Sequence, residues 1–209
     1  MFKDRTDAGK LLAEKLLSYK NQENTIVIGL PRGGVPVAYE VAQSLNLPLD
    51  IVCPRKIGAP MNKEFAIGAI TETGLGIFDE ETIVRLHISK AYIQEEVEKE
   101  KNIAKHRLEV YRKGRAPRNF KKKCIIIVDD GLATGATMKA AIQSIRSAGA
   151  SKIIVAIPVA PPDTLEEIHA QVDELICLDA PLFFQAVGQF YKDFTPTEDE
   201  EVTSLMTLT

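Results

Sequence analysis

Three times along this chain a short apolar run gives way to a helix-like stretch, and that repeat constrains the fold more than any other feature. Apolar runs occur at residues 25–30, 49–53, 65–70, 124–128, 153–158 and 175–178. Helical patterning follows at 35–45, 136–147 and 164–171; Gly149 stops the second, and Pro161, Pro162 and Asp163 announce the third. Strands that alternate with helices, and that are apolar throughout, predict an α/β fold built on a parallel sheet flanked by helices on both faces.

The 209 residues, 45% of them apolar, are enough to bury a substantial core, and the length fits a single domain over residues 1–209. A net charge of −3 without a dense lysine and arginine field argues against a protein that grips nucleic acid backbone. The three cysteines, Cys53, Cys124 and Cys177, lie far apart in or beside apolar runs and lack zinc-site spacing. They read as buried thiols of a reducing compartment. The first ten residues are too polar for a signal sequence, and no apolar run reaches the ~20 residues that cross a bilayer, so the expectation is a soluble cytoplasmic protein with no membrane partner.

Asp7 is placed to cap a first helix in which Ala8, Leu12, Leu16 and Tyr19 keep a three-to-four residue period. A long insertion at residues 89–113 shows Ile93, Val97, Ala104, Leu108 and Tyr111 on one helical face and charge on the other. It predicts a helix packed on the domain or on a second copy in a homo-oligomer. The basic stretch that follows reads as a solvated linker, with Arg112 or Arg115 as possible reach toward a ligand phosphate. The acidic run at 198–201 reads as a frayed tail.

The segment that carries chemistry is 125–137: an apolar strand, Asp129 and Asp130, then Gly131, Leu132, Ala133, Thr134, Gly135, Ala136 and Thr137 opening a helix. Ligands of open parallel sheets bind beyond the carboxyl ends of strands. A loop of small residues lets main-chain N–H groups approach a phosphate, and the helix behind it adds unpaired N–H groups and the positive end of its dipole. Two carboxylates would repel that phosphate but accept hydrogen bonds from vicinal ribose hydroxyls. One segment thus matches a sugar phosphate and its diol. Nucleotide-triphosphate and dinucleotide loops do not fit: there is no Gly-Lys-Ser/Thr ending, and Gly29, Gly33 and Gly34 have the wrong spacing.

These residues resemble the donor-binding motif of the type I phosphoribosyltransferases, with strand, acidic pair and Thr-Gly-x-Thr loop in register. The resemblance implies a donor, phosphoribosyl pyrophosphate, with its 5-phosphate on Ala133, Thr134, Gly135, Ala136 and Thr137 and its ribose on Asp129 and Asp130. Residues 29–34, alone only a tight turn, are similar to the family's pyrophosphate loop. There Gly33, Gly34 and Arg32 would face the leaving group, and a cis peptide is expected near Arg32. Residues 54–64, otherwise a mobile surface connection, are placed like the family's flexible catalytic loop; Arg55 and Lys56 would meet the pyrophosphate, and Glu64 is its nearest carboxylate.

The C-terminal hood segment and tail, 179–209, holds aromatics that resemble the base-stacking region of purine-using members, at a spacing one residue different. The implied contacts are Phe184, Phe190 and Tyr191 to a base and Asp193 to a metal. Ala133 stands where users of 6-oxopurines carry an aspartate, which implies that guanine and hypoxanthine are poor acceptors.

The implied reaction is transfer of ribose 5-phosphate to a small nitrogen acceptor, a nucleobase of nucleotide metabolism, with magnesium-dependent release of pyrophosphate. Asp129, Asp130, Arg32, Lys56 and Glu64 form its expected catalytic set. Two other functions suit the same motif: a regulator that senses the donor without turning it over, and a hydrolase of a sugar phosphate or nucleotide.

Overall fold

The computed structural model describes residues 1–208 apart from the side chain of Glu64. The first half runs α1 (Arg5–Lys15), β1 (Thr25–Gly29), α2 (Gly34–Leu45), β2 (Leu49–Ile51), β3 (Arg55–Ala59), β4 (Asn62–Ile70), β5 (Gly76–Phe78) and α3 (Glu80–Arg85). The second runs α4 (Lys90–Arg112), β6 (Cys124–Val128), α5 (Ala136–Ser147), β7 (Lys152–Val159), α6 (Pro162–His169), β8 (Glu174–Asp179) and α7 (Asp199–Thr207).

Five strands pair in parallel in the order β2-β1-β6-β7-β8, with helices on both faces as the alternation predicts. Successive side chains of a strand point to opposite faces, and the two cores follow that rule. Val27, Ile126, Val128, Ile154 and Ala156 join the core beneath α1, α2, α4 and α7. Ile26, Ile28, Ile125, Ile127, Ile153, Val155 and Ile157 join the core beneath α5 and α6. Burial on both faces is the reason these strands are apolar without alternation.

The apolar run at 65–70 is a strand, but it does not enter this sheet. It is the second half of β4, which pairs antiparallel with β3 and β5 in a separate three-stranded sheet. The supposed flexible connection at 54–64 is therefore a β-hairpin, with register shifts around Gly58 where a Cβ would lie 2.3 Å from the Lys63 carbonyl oxygen. Its inner residues Ile57, Ile67 and Ile70 form a third apolar cluster with Phe78, Ile93 and Val97.

The insertion is the helix α4, capped by Ser89, whose hydroxyl accepts from the Tyr92 N–H; Lys113 closes it in the left-handed conformation. Its predicted face divides along its length: Ile93 and Val97 pack on the hairpin, while Ala104, Leu108 and Tyr111 enter the main core. The basic stretch is exposed from 113 to 119, as expected, but Arg112 and Arg118 are both tied to Asp50. Arg112 Nε binds Oδ1 of the buried Asp50 at 3.0 Å and its Nη2 donates to the Ile51 carbonyl, while the Arg118 N–H donates to Asp50 Oδ2. An unpaired Asp50 would be costly at that depth, so the pairing with Arg112 serves the fold.

At the ends of the chain two further expectations change. Asp4, not Asp7, caps α1, accepting from the Asp7 N–H at 2.8 Å. The acidic tail is the first turn of α7, whose Val202 and Met206 are buried in the main core and whose acids sit at the favourable end of the helix dipole. Among the described residues all three cysteines are free; burial pushes the Cys53 thiol up to about 11. Among the described residues no helix is long and apolar enough to cross a membrane.

Candidate active site

Strand order places one crevice above all others. From β1 the chain moves outward to β2, and later strands are added on the opposite side of β1 beginning with β6. The loops leaving β1 and β6 thus diverge between the adjacent ends Gly29 and Val128. Such a switch point is where open α/β sheets bind ligands. The two loops here are the glycine-rich turn and the acidic motif.

The first loop runs from Leu30, whose N–H donates to the Val128 carbonyl at 3.1 Å, through a cis Pro31–Arg32 peptide to Gly33 and Gly34 at the start of α2. The loops touch. A Cβ on Gly33 would stand 2.0 Å from Asp130 Oδ2, and one on Gly34 would stand 2.8 Å from Asp129 Cα and Oδ1. Glycine is required at both positions by this approach of backbone to acid.

The acidic pair is largely withdrawn from solvent. Asp129 Oδ1 accepts from the Asp130 N–H at 2.9 Å. Burial, reinforced by the charge of Asp130, holds the Asp129 carboxyl well above the ordinary carboxylate range. Burial also raises Asp130, opposed by a guanidinium from the far end of the chain: Arg5 Nε donates to Asp130 Oδ2 at 2.8 Å. Arg5 lies 125 residues away in the first turn of α1; sequence reasoning missed it, and no local motif marks it.

Beyond the acids, Leu132 N–H donates to the Val159 carbonyl and Thr164 Oγ1 donates to the Ala133 carbonyl at 2.7 Å, so the loop is tied to β7 and α6. Gly135, with φ 69°, caps α5 without a side-chain hydrogen bond. The N–H groups of the first turn of α5, at Ala136 and Thr137, point out of the helix end with no intrahelical acceptor. Ala133 and Thr134 are exposed and Thr137 is half-buried.

The hairpin contributes the facing wall. A cavity of about 590 Å³ is lined by Lys56, Phe65, Phe78 and Asp79 on that side and by Thr134 and Ala136 on the other. Adjacent residues of β3 face opposite ways, and of Arg55 and Lys56 only Lys56 lines this cavity. Arg55, expected with Lys56 to meet the pyrophosphate, turns instead to α4, where its Nε meets Glu100 Oε2 at 2.7 Å. The expectation for Glu64 lies outside the described residues. Arg32 reaches toward the first turn of α7, with Nη1 3.4 Å from Glu198 Oε2 and 3.7 Å from Asp199 Oδ1.

The C-terminal aromatics are divided between packing and exposure. Tyr191 is buried, and its hydroxyl donates to the Asp130 carbonyl at 2.6 Å; its ring packs on Phe2 and Phe194, so it props the acidic loop and is not open to stack a base. Phe184 and Phe190 stack on each other at 5.3 Å and are half-buried. Asp193 Oδ1 accepts from the Thr195 N–H and hydroxyl, which lowers its pKa, and among the described residues no cluster of three or more metal-ligating side chains includes it.

A Mycobacterium tuberculosis protein named "Putative phosphoribosyl transferase Rv0571c" is 42% identical over 206 residues, which is 99% of this chain and 46% of that protein. The chain therefore spans about half the length of the curated relatives it matches. The crystal structure of the Thermus thermophilus protein TT1426 is 40% identical, superposes with a TM-score of 0.83, and is matched over 98% of this chain and 97% of its own. The AQ2163 protein from Aquifex aeolicus, at 15% identity and a TM-score of 0.52 over 84% of this chain and 74% of its own, shares the fold. The phosphoribosyl transferase domain matches residues 3–195, a span that takes in both loops, the acidic pair and Arg5. By that match, this chain belongs to the phosphoribosyl transferase domain family.

Proposed function

We propose that this chain transfers ribose 5-phosphate from phosphoribosyl pyrophosphate to a nitrogen nucleophile and releases pyrophosphate. The observation that carries the reading is the contact between the acidic pair and the Gly33–Gly34 backbone at the switch point, beside the open end of α5. That arrangement supplies separate groups for each part of the donor. Ala136, Thr137 and the loop before them suit the 5-phosphate; Asp129 and Asp130 suit the two ribose hydroxyls; Arg32 and Lys56 suit the leaving group.

In the transfer the bond from C1′ to the pyrophosphate oxygen breaks, the bond from C1′ to the acceptor nitrogen forms, and the acceptor loses a proton. Positive charge develops on the sugar ring, as in glycoside chemistry, and on this reading the acidic pair would stabilise it. The residues fit magnesium only as a shared ligand. Two adjacent carboxylates are present without a third among the described residues, and magnesium commonly takes one or two carboxylates together with substrate oxygens and water. It would neutralise the leaving group when bound with the donor.

A pyrophosphate-release screen with adenine, guanine, hypoxanthine, xanthine, uracil and orotate tests the proposal. Release with at least one of these, and weak release with guanine and hypoxanthine because Ala133 offers no acid or base, is the expected outcome. Tight donor binding without release with any acceptor would make the protein a sensor, and free ribose 5-phosphate as product would make it a hydrolase.

A further inference from the structure

Arg5 is held more firmly than a chance neighbour of the acidic pair. Its Nε binds Asp130 Oδ2 at 2.8 Å, its Nη1 donates to the Thr195 carbonyl at 2.7 Å, and its guanidinium lies 4.0 Å from the centre of the Phe194 ring. Only 12% of the side chain is exposed. The same Oδ2 is covered from a second direction by Gly33, so both neighbours of that oxygen are fixed and Oδ1 retains the accepting capacity of the carboxylate. A planar fork that stacks on a ring while donating in two directions is a task for arginine and not for lysine.

We infer that Arg5 is a positioning residue for the donor: it fixes the Asp130 carboxyl group by engaging Oδ2, which leaves Oδ1 for a ribose hydroxyl, and it cancels one negative charge beside a ligand that is itself highly anionic. The inference rests on the donor reading above. The groups that face Asp130 are Asp129 in the same loop, Arg5 from α1 and the Tyr191 hydroxyl at its carbonyl, while Asp193 acts on Arg5 from the C-terminal segment. Of these Arg5 alone is cationic, so its removal leaves the acidic pair without a fixed counter-charge.

The test compares wild type with Arg5→Gln and Arg5→Lys. Affinities for magnesium phosphoribosyl pyrophosphate and for magnesium pyrophosphate are measured by calorimetry. In Arg5→Gln donor affinity at neutral pH should fall about 10-fold or more, the loss expected for one charge-assisted hydrogen bond. Pyrophosphate alone, which does not need the ribose site, should bind within about 2-fold of wild type, a change of under half a kcal/mol. Arg5→Lys should still lose about 3-fold or more in donor affinity, because the fork is gone. Donor and pyrophosphate affinities that fall together, or donor affinity unchanged in Arg5→Gln, would overturn the inference. So would full donor affinity in Arg5→Lys, which also decides the matter if Arg5→Gln does not fold. Wild-type protein that binds no donor would instead overturn the donor reading on which the inference rests.

Discussion

Asp129 is half-buried at a strand end with a second carboxyl beside it, and desolvation and that neighbouring charge raise its pKa above the ordinary carboxylate range. Because its folded pKa is raised, the native state binds more protons than the unfolded one above the ordinary carboxylate range, and stability falls as pH rises through that window. Asp129→Asn should thus melt above wild type at pH 8, by ~2 °C or more for a chain of this size, with the gap closing toward pH 4. Equal melting temperatures at both pH values would show that the acid costs nothing. At Gly33 the constraint is steric. Gly33→Ala places a Cβ 2.0 Å from Asp130 Oδ2, and the shift needed should cost ~1–3 kcal/mol in chemical denaturation and weaken donor binding. The acids and both glycine-rich loops were legible because each lies in one continuous stretch of sequence. Arg5 was not, since its partner is 125 residues distant and a single arginine in a first helical turn carries no signal of what it meets.

The elements that the sequence concealed are those whose partners it does not specify. Residues 65–70 are apolar enough for a strand, but periodicity within a strand says nothing about which neighbour it pairs with. The single glycine, two prolines and charges of 54–64 are as compatible with a hairpin as with a loop. The long helix was legible because its apolar face is continuous; that one half would serve the hairpin and the other the main core was not. The acidic start of α7 concealed a helix whose few core residues, Val202 and Met206, do the anchoring. Apolar burial and surface charge should separate cleanly here. Met206→Ala is expected to lose ~2–5 kcal/mol in denaturant unfolding, whereas Glu198→Gln, whose contact with Arg32 is solvent-exposed, should stay within about 0.5 kcal/mol. A comparable loss in both would mean that α7 is held by its ion pairs and not by its apolar face.

Across the whole molecule, groups from separated parts of the chain meet at the switch point: the turn after β1, the acids after β6, the open end of α5, Lys56 from the hairpin, and Arg5 and Tyr191 from the two ends. On the proposed reading different parts of one donor fall to different members of this set, so the intact donor should bind better than its fragments. Calorimetric titration of wild-type protein with phosphoribosyl pyrophosphate, ribose 5-phosphate and pyrophosphate, each with and without magnesium, tests this most directly. The intact donor with magnesium should bind at least ~10-fold more tightly than either fragment, and Asp129→Asn with Asp130→Asn should remove this advantage while leaving a folded protein. Donor affinity no better than that of pyrophosphate alone, or unchanged in the folded double variant, would contradict the assignment.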